Sequence, residues 1–188
     1  MKVRHILTAR MHFFQKIICL LSLFIFLFNL DPILAFAADY PSIQPVNSFE
    51  LFWPLSAGKT ITSKIYWLKQ FKEKFRGAII FGNTPKADYD VLLATKRLLE
   101  TEKLLRDNQI DFANQTLDIG KNNLVEAKAK AIAAIGSKES FGSSGPTIVS
   151  RLSNMQKLGV YLQTTYPDSK SKLQEFIDAD LSLLAILK

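Results

Sequence analysis

The fold is decided by residues 85–135, which read PKADYDVLLATKRLLETEKLLRDNQIDFANQTLDIGKNNLVEAKAKAIAAI. Counted in sevens, bulky residues recur at one position and small residues at another, on both sides of the polar turn at residues 106–109. Two such helices pack closely, because large side chains lie opposite small ones. The spacing therefore predicts an antiparallel hairpin of two long helices. The predicted packing residues are Val91, Ala94, Leu98, Leu105, Leu117, Gly120, Leu124 and Ala127.

Further helices are predicted on either side of this hairpin. Apolar residues at three- and four-residue steps predict a helix over residues 61–81, so that residues 61–135 contribute three helices. Residues 136–146 are rich in Gly and Ser and predict a flexible linker. Residues 147–188 have the period of a second helical hairpin. The expected fold is all-α, an up-and-down bundle of four to five helices preceded by an N-terminal signal or anchor helix.

The first 37 residues have the composition of a secretory signal peptide. Basic residues precede an apolar run at residues 17–28, and Ala35 and Ala37 stand where signal peptidase reads small side chains. The run is shorter than the roughly 20 apolar residues of a membrane-spanning helix. We therefore expect an exported protein, located outside the cell, in the periplasm or on the outer face of the cytoplasmic membrane. An uncleaved anchor at residues 1–37 is the alternative.

Cleavage after Ala37 would change the chemistry available to the chain. Both histidines and the only cysteine, Cys19, lie in the signal, and the net charge of +7 falls to about +4 because four basic residues and one acidic residue are removed. Without His or Cys, catalytic triads, thiol nucleophiles, disulfides and His- or Cys-ligated metals are excluded. The remaining charge is dispersed, so we expect no nucleic-acid partner. No cofactor is expected either.

Between the signal and the first helix, residues 38–60 contain three prolines and no helical period. They predict an extended lead segment. Within it, Gly58-Lys59-Thr60 is similar to the end of a phosphate-binding loop, but Trp53 stands where that motif needs a glycine. No nucleotide site is expected here.

The candidate catalytic groups are acidic pairs spaced two residues apart. Residues at that spacing on a helix point about 200° apart, so the two acids of a pair lie on different faces. A carboxylate-based hydrolase could still use acids from different helices. The pairs are Asp88/Asp90, Glu100/Glu102 and Asp178/Asp180.

The helix predicted over residues 61–81 is strongly amphipathic. Its apolar stripe includes Phe71 and Phe75, and five basic residues occupy the other faces. The favoured interpretation is a stripe that faces the core, with a charged outer face. The alternative is a helix that lies on an anionic membrane surface.

Three short motifs follow one another along the chain: Ser63-Lys64-Ile65-Tyr66-Trp67-Leu68-Lys69 with Glu73 and Phe75, then Thr84-Pro85-Lys86-Ala87, and then Leu98-Leu99-Glu100. Together they resemble a bacterial family of exported helical domains, domain-of-unknown-function family 5667. The similarity covers residues 52–134, and Lys86-Ala87-Asp88 departs from the longer charged run common after the proline. The resemblance implies export and a helical architecture. It implies no catalytic or binding residues, because none are established for the family.

The sequence thus favours a non-enzymatic interaction or structural module of the cell envelope. Its partner would be an unknown protein or a cell-surface component. A peripheral membrane protein that uses residues 61–81 is the first alternative, and the carboxylate-based hydrolase is the second.

Overall fold

The structure, a computed structural model, describes residues 46–187, and within them it contains helices and no strand. The predicted all-α helical bundle is confirmed. The signal segment, its cleavage residues Ala35 and Ala37, and the first part of the lead segment lie outside the described residues. The helices are α1 (Ser48–Phe52), α2 (Tyr66–Ala78), α3 (Asn83–Arg106), α4 (Ile110–Gly136), α5 (Ser144–Thr165), a 3-10 turn (Pro167–Ser169) and α6 (Lys170–Leu187).

The four long helices, α3 to α6, form the bundle and alternate in direction along the chain. Ion pairs Arg151–Asp88 and Lys121–Glu175 tie α5 to α3 and α6 to α4. Around the bundle the helices contact one another in the order α3, α4, α6, α5. The connection from α4 to α5 therefore crosses the bundle diagonally, whereas the α3–α4 and α5–α6 connections join neighbours.

The core of the bundle contains the predicted packing rows. All eight predicted packing residues are buried. Gly120 of α4 is packed more closely than the other glycines, because a methyl group there would lie 2.9 Å from the Phe176 ring of α6 and 3.0 Å from Cβ of Arg97. The small residues of α4 therefore allow both α3 and α6 to approach this helix closely. Residues Gln44–Lys188 form one compact unit with this core.

The linker is shorter than predicted, and one of its side chains binds the start of α3. It spans residues 137–143, because α4 continues to Gly136 and α5 begins at Ser144. The Glu139 carboxylate accepts hydrogen bonds from the backbone N–H groups of Asn83 at 2.9 Å and Thr84 at 3.0 Å. It therefore supplies acceptors to the unpaired amides at the start of α3, which Gly82 cannot cap through a side chain.

The prediction of an extended lead segment was wrong for residues 48–52. The Asn47 side chain accepts hydrogen bonds from the N–H groups of Phe49 at 3.1 Å and Glu50 at 3.4 Å, and so caps α1. A five-residue helix is too short to show an apolar period in the sequence. Its Phe52 is buried in the core of the bundle.

Candidate functional site

Helix α2 lies antiparallel to α3 and turns its polar side inward. Lys69 forms an ion pair with Glu100, and one turn later Glu73 forms an ion pair with Arg97. The Tyr89 hydroxyl of α3 donates to the backbone carbonyl of Glu73 at 2.9 Å. Because residues three and four apart share a helix face, these contacts fix the side of α2 that meets the bundle.

Four charged side chains, Lys69, Glu73, Arg97 and Glu100, make up what we call the charge cluster. Arg97 Nη1 lies 2.7 Å from Glu100 Oε1, and the Glu100 side chain is fully buried. Lys69 Nζ also donates to the carbonyls of the preceding loop, at 3.2 Å to Ala57 and 3.0 Å to Lys59. Two cations and two anions therefore join α2, α3 and the loop before α2 with no net charge.

Burial and charge act against each other inside this cluster. Burial raises the pKa of Glu100, although Arg97 and Lys69 oppose the shift, and burial lowers the pKa of Lys69 against the pull of Glu100. For Arg97 the effect of burial is outweighed, and Glu100 and Glu73 hold its pKa above the usual value. Burial raises the pKa of Tyr66, whose ring lies 5.6 Å from Lys69 Nζ, to about 12. Arg97 therefore keeps its positive charge inside the cluster.

The apolar side of α2 points away from the bundle. We call this surface, formed by Ile65, Leu68, Phe71, Phe75 and Ile79, the outer face; each of these residues is between 46% and 56% exposed. The favoured prediction, a stripe that faces the core, was therefore wrong. The α3 surface beneath α2 carries Arg97 and Glu100, which bind the polar side of α2. The four long helices, together with Phe52 of α1, fill the shared core with their own side chains.

The borders of the outer face are basic and aromatic. Lys74 and Trp67 are exposed on one border, and Lys72 lies at the opposite border. The only acid of α2, Glu73, is on the inward side. Beyond the end of the helix, 83% of the Phe81 side chain is exposed.

The predicted acidic pairs do not converge on a shared site. Each carboxylate contacts its own partner, and no group of His, Cys, Asp or Glu within residues 46–187 is arranged to hold a metal ion. The partners are Arg151 for Asp88, Lys130 for Asp90, Lys69 and Arg97 for Glu100, Arg106 for Glu102, Gln174 for Asp178 and Gln156 for Asp180.

A search of residues 46–187 for membrane-spanning helices found none with the length and apolar character that a bilayer requires.

Sequence reasoning treated Glu100 as half of an acidic pair and missed Arg97. A signal was present, since Arg97 and Glu100 stand three residues apart on either side of the apolar residues Leu98 and Leu99. Charged residues at that spacing form a pair on one helix face. What the sequence did not show is that Lys69 and Glu73 complete the cluster from a separate helix.

Comparison with known families adds one assignment. Residues 61–174 match the family model described as Domain of unknown function (DUF5667). The chain belongs to this family. The match confirms the resemblance and extends it beyond residue 134. No curated protein and no solved structure gave a significant match.

The DUF5667 segment contains both the charge cluster and the outer face, which together span residues 65–100. It does not contain α1, and it ends inside α6. Phe52 and Phe176, both buried in the core, therefore lie outside the family segment. The structural unit is larger than the segment by which the family is recognised.

Proposed function

We propose that this protein is an exported, non-enzymatic component of the cell envelope, and that the outer face of α2 is its contact surface. The observation that carries the proposal is a row of large apolar side chains held outward by buried ion pairs on the opposite side of the same helix. Contiguous apolar patches on a protein surface mark sites of interaction.

The charge cluster supports a fixed role for the outer face. A buried charge that loses its partner costs several kcal/mol, roughly 3–5, so rotation of α2 that buried its apolar side would leave Arg97 and Glu100 without Glu73 and Lys69. The apolar side of α2 thus stays in solvent and does not pack against the bundle core. This arrangement favours a surface whose use requires its exposure.

Two features of the sequence support the remaining parts of the proposal. The signal-like composition of residues 1–37 favours export. The chain after residue 37 lacks His and Cys, and the acids considered as catalytic groups are bound by Arg, Lys or Gln side chains in separate places. Acids that are bound separately in this way favour a structural role for the protein over a hydrolytic one.

Cysteine labelling in intact cells tests export and contact together. We would replace Phe71 on the outer face and, as a matched exposed position on α5, Lys157, each with Cys in a chain that carries Cys19→Ala. A membrane-impermeant maleimide should label Lys157→Cys rapidly and Phe71→Cys slowly, whereas both purified proteins should label rapidly.

Two results would contradict the proposal in different ways. Equal, rapid labelling of both positions in intact cells would mean that nothing covers the outer face. Labelling of neither position until the cells are lysed would mean that the protein is not exported.

A further inference from the structure

We infer that the outer face docks on an anionic lipid surface. The inference rests on the proposed function, because it names the partner of the surface assigned there. It is carried by three independent observations: the shape of the outer face, the sign of the charges around it and the position of its aromatic border.

The outer face is a convex ridge. Its apolar side chains run from Ile65 to Ile79 along one side of the helix, a length of roughly 20 Å at about 1.5 Å per residue. A protein partner would need a groove of matching length, as in helix-in-groove recognition. A lipid layer needs no such groove, because a helix that lies in the interface sinks its apolar side roughly 5–10 Å into the boundary between headgroups and acyl chains.

The charges around this ridge have one sign. Lys74 and Arg76 are exposed, and the Arg76 guanidinium lies 5.7 Å from the centre of the Tyr89 ring. The only acid of the helix, Glu73, is bound by Arg97 on the inward side. The exposed charges of α2 are therefore positive, which complements anionic headgroups.

An aromatic side chain, Trp67, lies at the border of the outer face, where the headgroup layer would be. Trp67 is at the border of the outer face with 65% of its side chain exposed, and Phe81 follows the end of α2 with 83% exposed. Tryptophan is enriched at membrane–water interfaces because its ring is apolar and its N–H is polar. With the outer face in the lipid, the charge cluster would lie on the opposite side of α2 and would attach the bundle to the membrane-bound helix.

Vesicle flotation tests the inference. The compact unit Gln44–Lys188 would be mixed at low salt with vesicles of phosphatidylcholine alone or with phosphatidylglycerol added. Binding is expected only with phosphatidylglycerol, and the emission of Trp67, measured in a Trp53→Phe background, should shift to shorter wavelength.

Matched variants separate the outer face from apolar surface in general. Leu68→Glu and Phe71→Glu should each lower partitioning at least about tenfold, since binding scales with buried apolar area. Lys74→Gln should lower it about fivefold, which corresponds to about 1 kcal/mol per basic residue. Val125→Glu and Val160→Glu change equally exposed apolar residues on α4 and α5 and should leave partitioning within about twofold. Circular dichroism would check that every variant is folded.

The outcomes separate this inference from the proposed function. Absence of vesicle binding, combined with slow labelling of Phe71→Cys in cells, would overturn the lipid assignment and leave a protein as the partner. Absence of binding with rapid labelling would overturn both. Equal binding to neutral vesicles, or equal losses in Val125→Glu and Val160→Glu, would also overturn the assignment of an anionic lipid surface to the outer face.

Discussion

Asp180 of α6 is a fully buried acid with one hydrogen bond, donated by Gln156 Nε2 at 3.3 Å. Burial raises the pKa of its carboxyl to about 7. In the unfolded chain the carboxyl releases its proton near pH 4, so between about pH 4 and pH 7 the folded state binds more protons than the unfolded state. Stability must therefore fall as the pH rises through this window.

We expect Asp180→Asn to remove this pH dependence, because the amide has the same shape and carries no charge. The gain in the free energy of unfolding relative to the native chain should be larger at pH 8 than at pH 4, by about 2–4 kcal/mol. Denaturant unfolding at the two pH values measures this difference. Asp178→Asn, which changes an exposed acid on the same helix, is the control. A gain that was the same at both pH values would mean that Asp180 is ionised in the folded protein throughout.

Two glycines of α4 should respond to alanine in opposite ways. At Gly120 the added methyl group would lie 2.9 Å from the Phe176 ring and 3.0 Å from Cβ of Arg97, closer than side chains approach without movement. At Gly136, which ends the helix, nothing lies within 4 Å. Gly120→Ala should therefore lower the free energy of unfolding by about 1–3 kcal/mol. Gly136→Ala should leave it unchanged or raise it by up to about 1 kcal/mol. Thermal or denaturant unfolding measures both, and equal effects would argue against close contact at Gly120.

At the scale of the element, the charge cluster attaches α2 to the bundle, together with the buried Tyr66 and the bond from the Tyr89 hydroxyl to the Glu73 carbonyl. Glu100→Gln removes the anion that Lys69 and Arg97 share, so we expect α2 to open more often while α3 and α4 remain closed. Removing one partner of a buried pair costs about 3–5 kcal/mol, and amide exchange in α2 should accelerate on the order of 100-fold to several thousand-fold. Hydrogen exchange followed by mass spectrometry resolves the helices separately.

Glu102→Gln is the matched control for this experiment, because Glu102 lies on the same helix and pairs with Arg106 instead of α2. Exchange in α2 should be unchanged in this variant. If Glu100→Gln accelerated exchange equally in α2, α3 and α4, the charge cluster would stabilise the bundle as a whole and would not hold α2 specifically.

The sequence was informative for elements whose burial follows from their own pattern. The hairpin of α3 and α4 could be predicted because its bulky and small rows are repeated several times in each helix. The orientation of α2 could not, because an amphipathic pattern shows which side is apolar and does not show which side meets the protein. That choice depends on Arg97 and Glu100, more than 20 residues away in the chain. Helix α1 was missed because its formation depends on one capping residue, Asn47.

At the scale of the whole molecule, the folding unit should be larger than the family segment. A fragment of residues 61–174 lacks Phe52, Phe176 and Leu183, which are buried in the core. Loss of one buried phenylalanine costs about 3–5 kcal/mol, a large part of the roughly 5–15 kcal/mol by which domains are stable. We expect this fragment to show no cooperative thermal transition by circular dichroism, whereas residues 44–188 should unfold in a single transition. A cooperative transition in the shorter fragment would show that α1 and the end of α6 are dispensable.

The class of fold could also be predicted at this scale, because four long amphipathic stretches with short connections have few ways to bury their apolar sides other than a bundle. The diagonal connection from α4 to α5 could not, since either neighbouring or diagonal placement would bury the same residues. The contact surface could not be predicted either, because the sequence does not show which side of α2 meets the protein. Export stays a prediction from the composition of residues 1–37.

The bond between Glu139 and the start of α3 also determines where the chain can be divided. The end of the α3–α4 hairpin opposite its turn brings the start of α3 close to the end of α4. There the Glu139 carboxylate binds the amides of Asn83 and Thr84, so this end is held together by residues that precede Gly142. A break between residues 142 and 143 would therefore leave the hairpin closed, and α5 and α6 would form a second piece with an apolar side of its own. The two pieces should reassemble without a covalent link, which makes this peptide bond a natural position for a split reporter or an inserted domain.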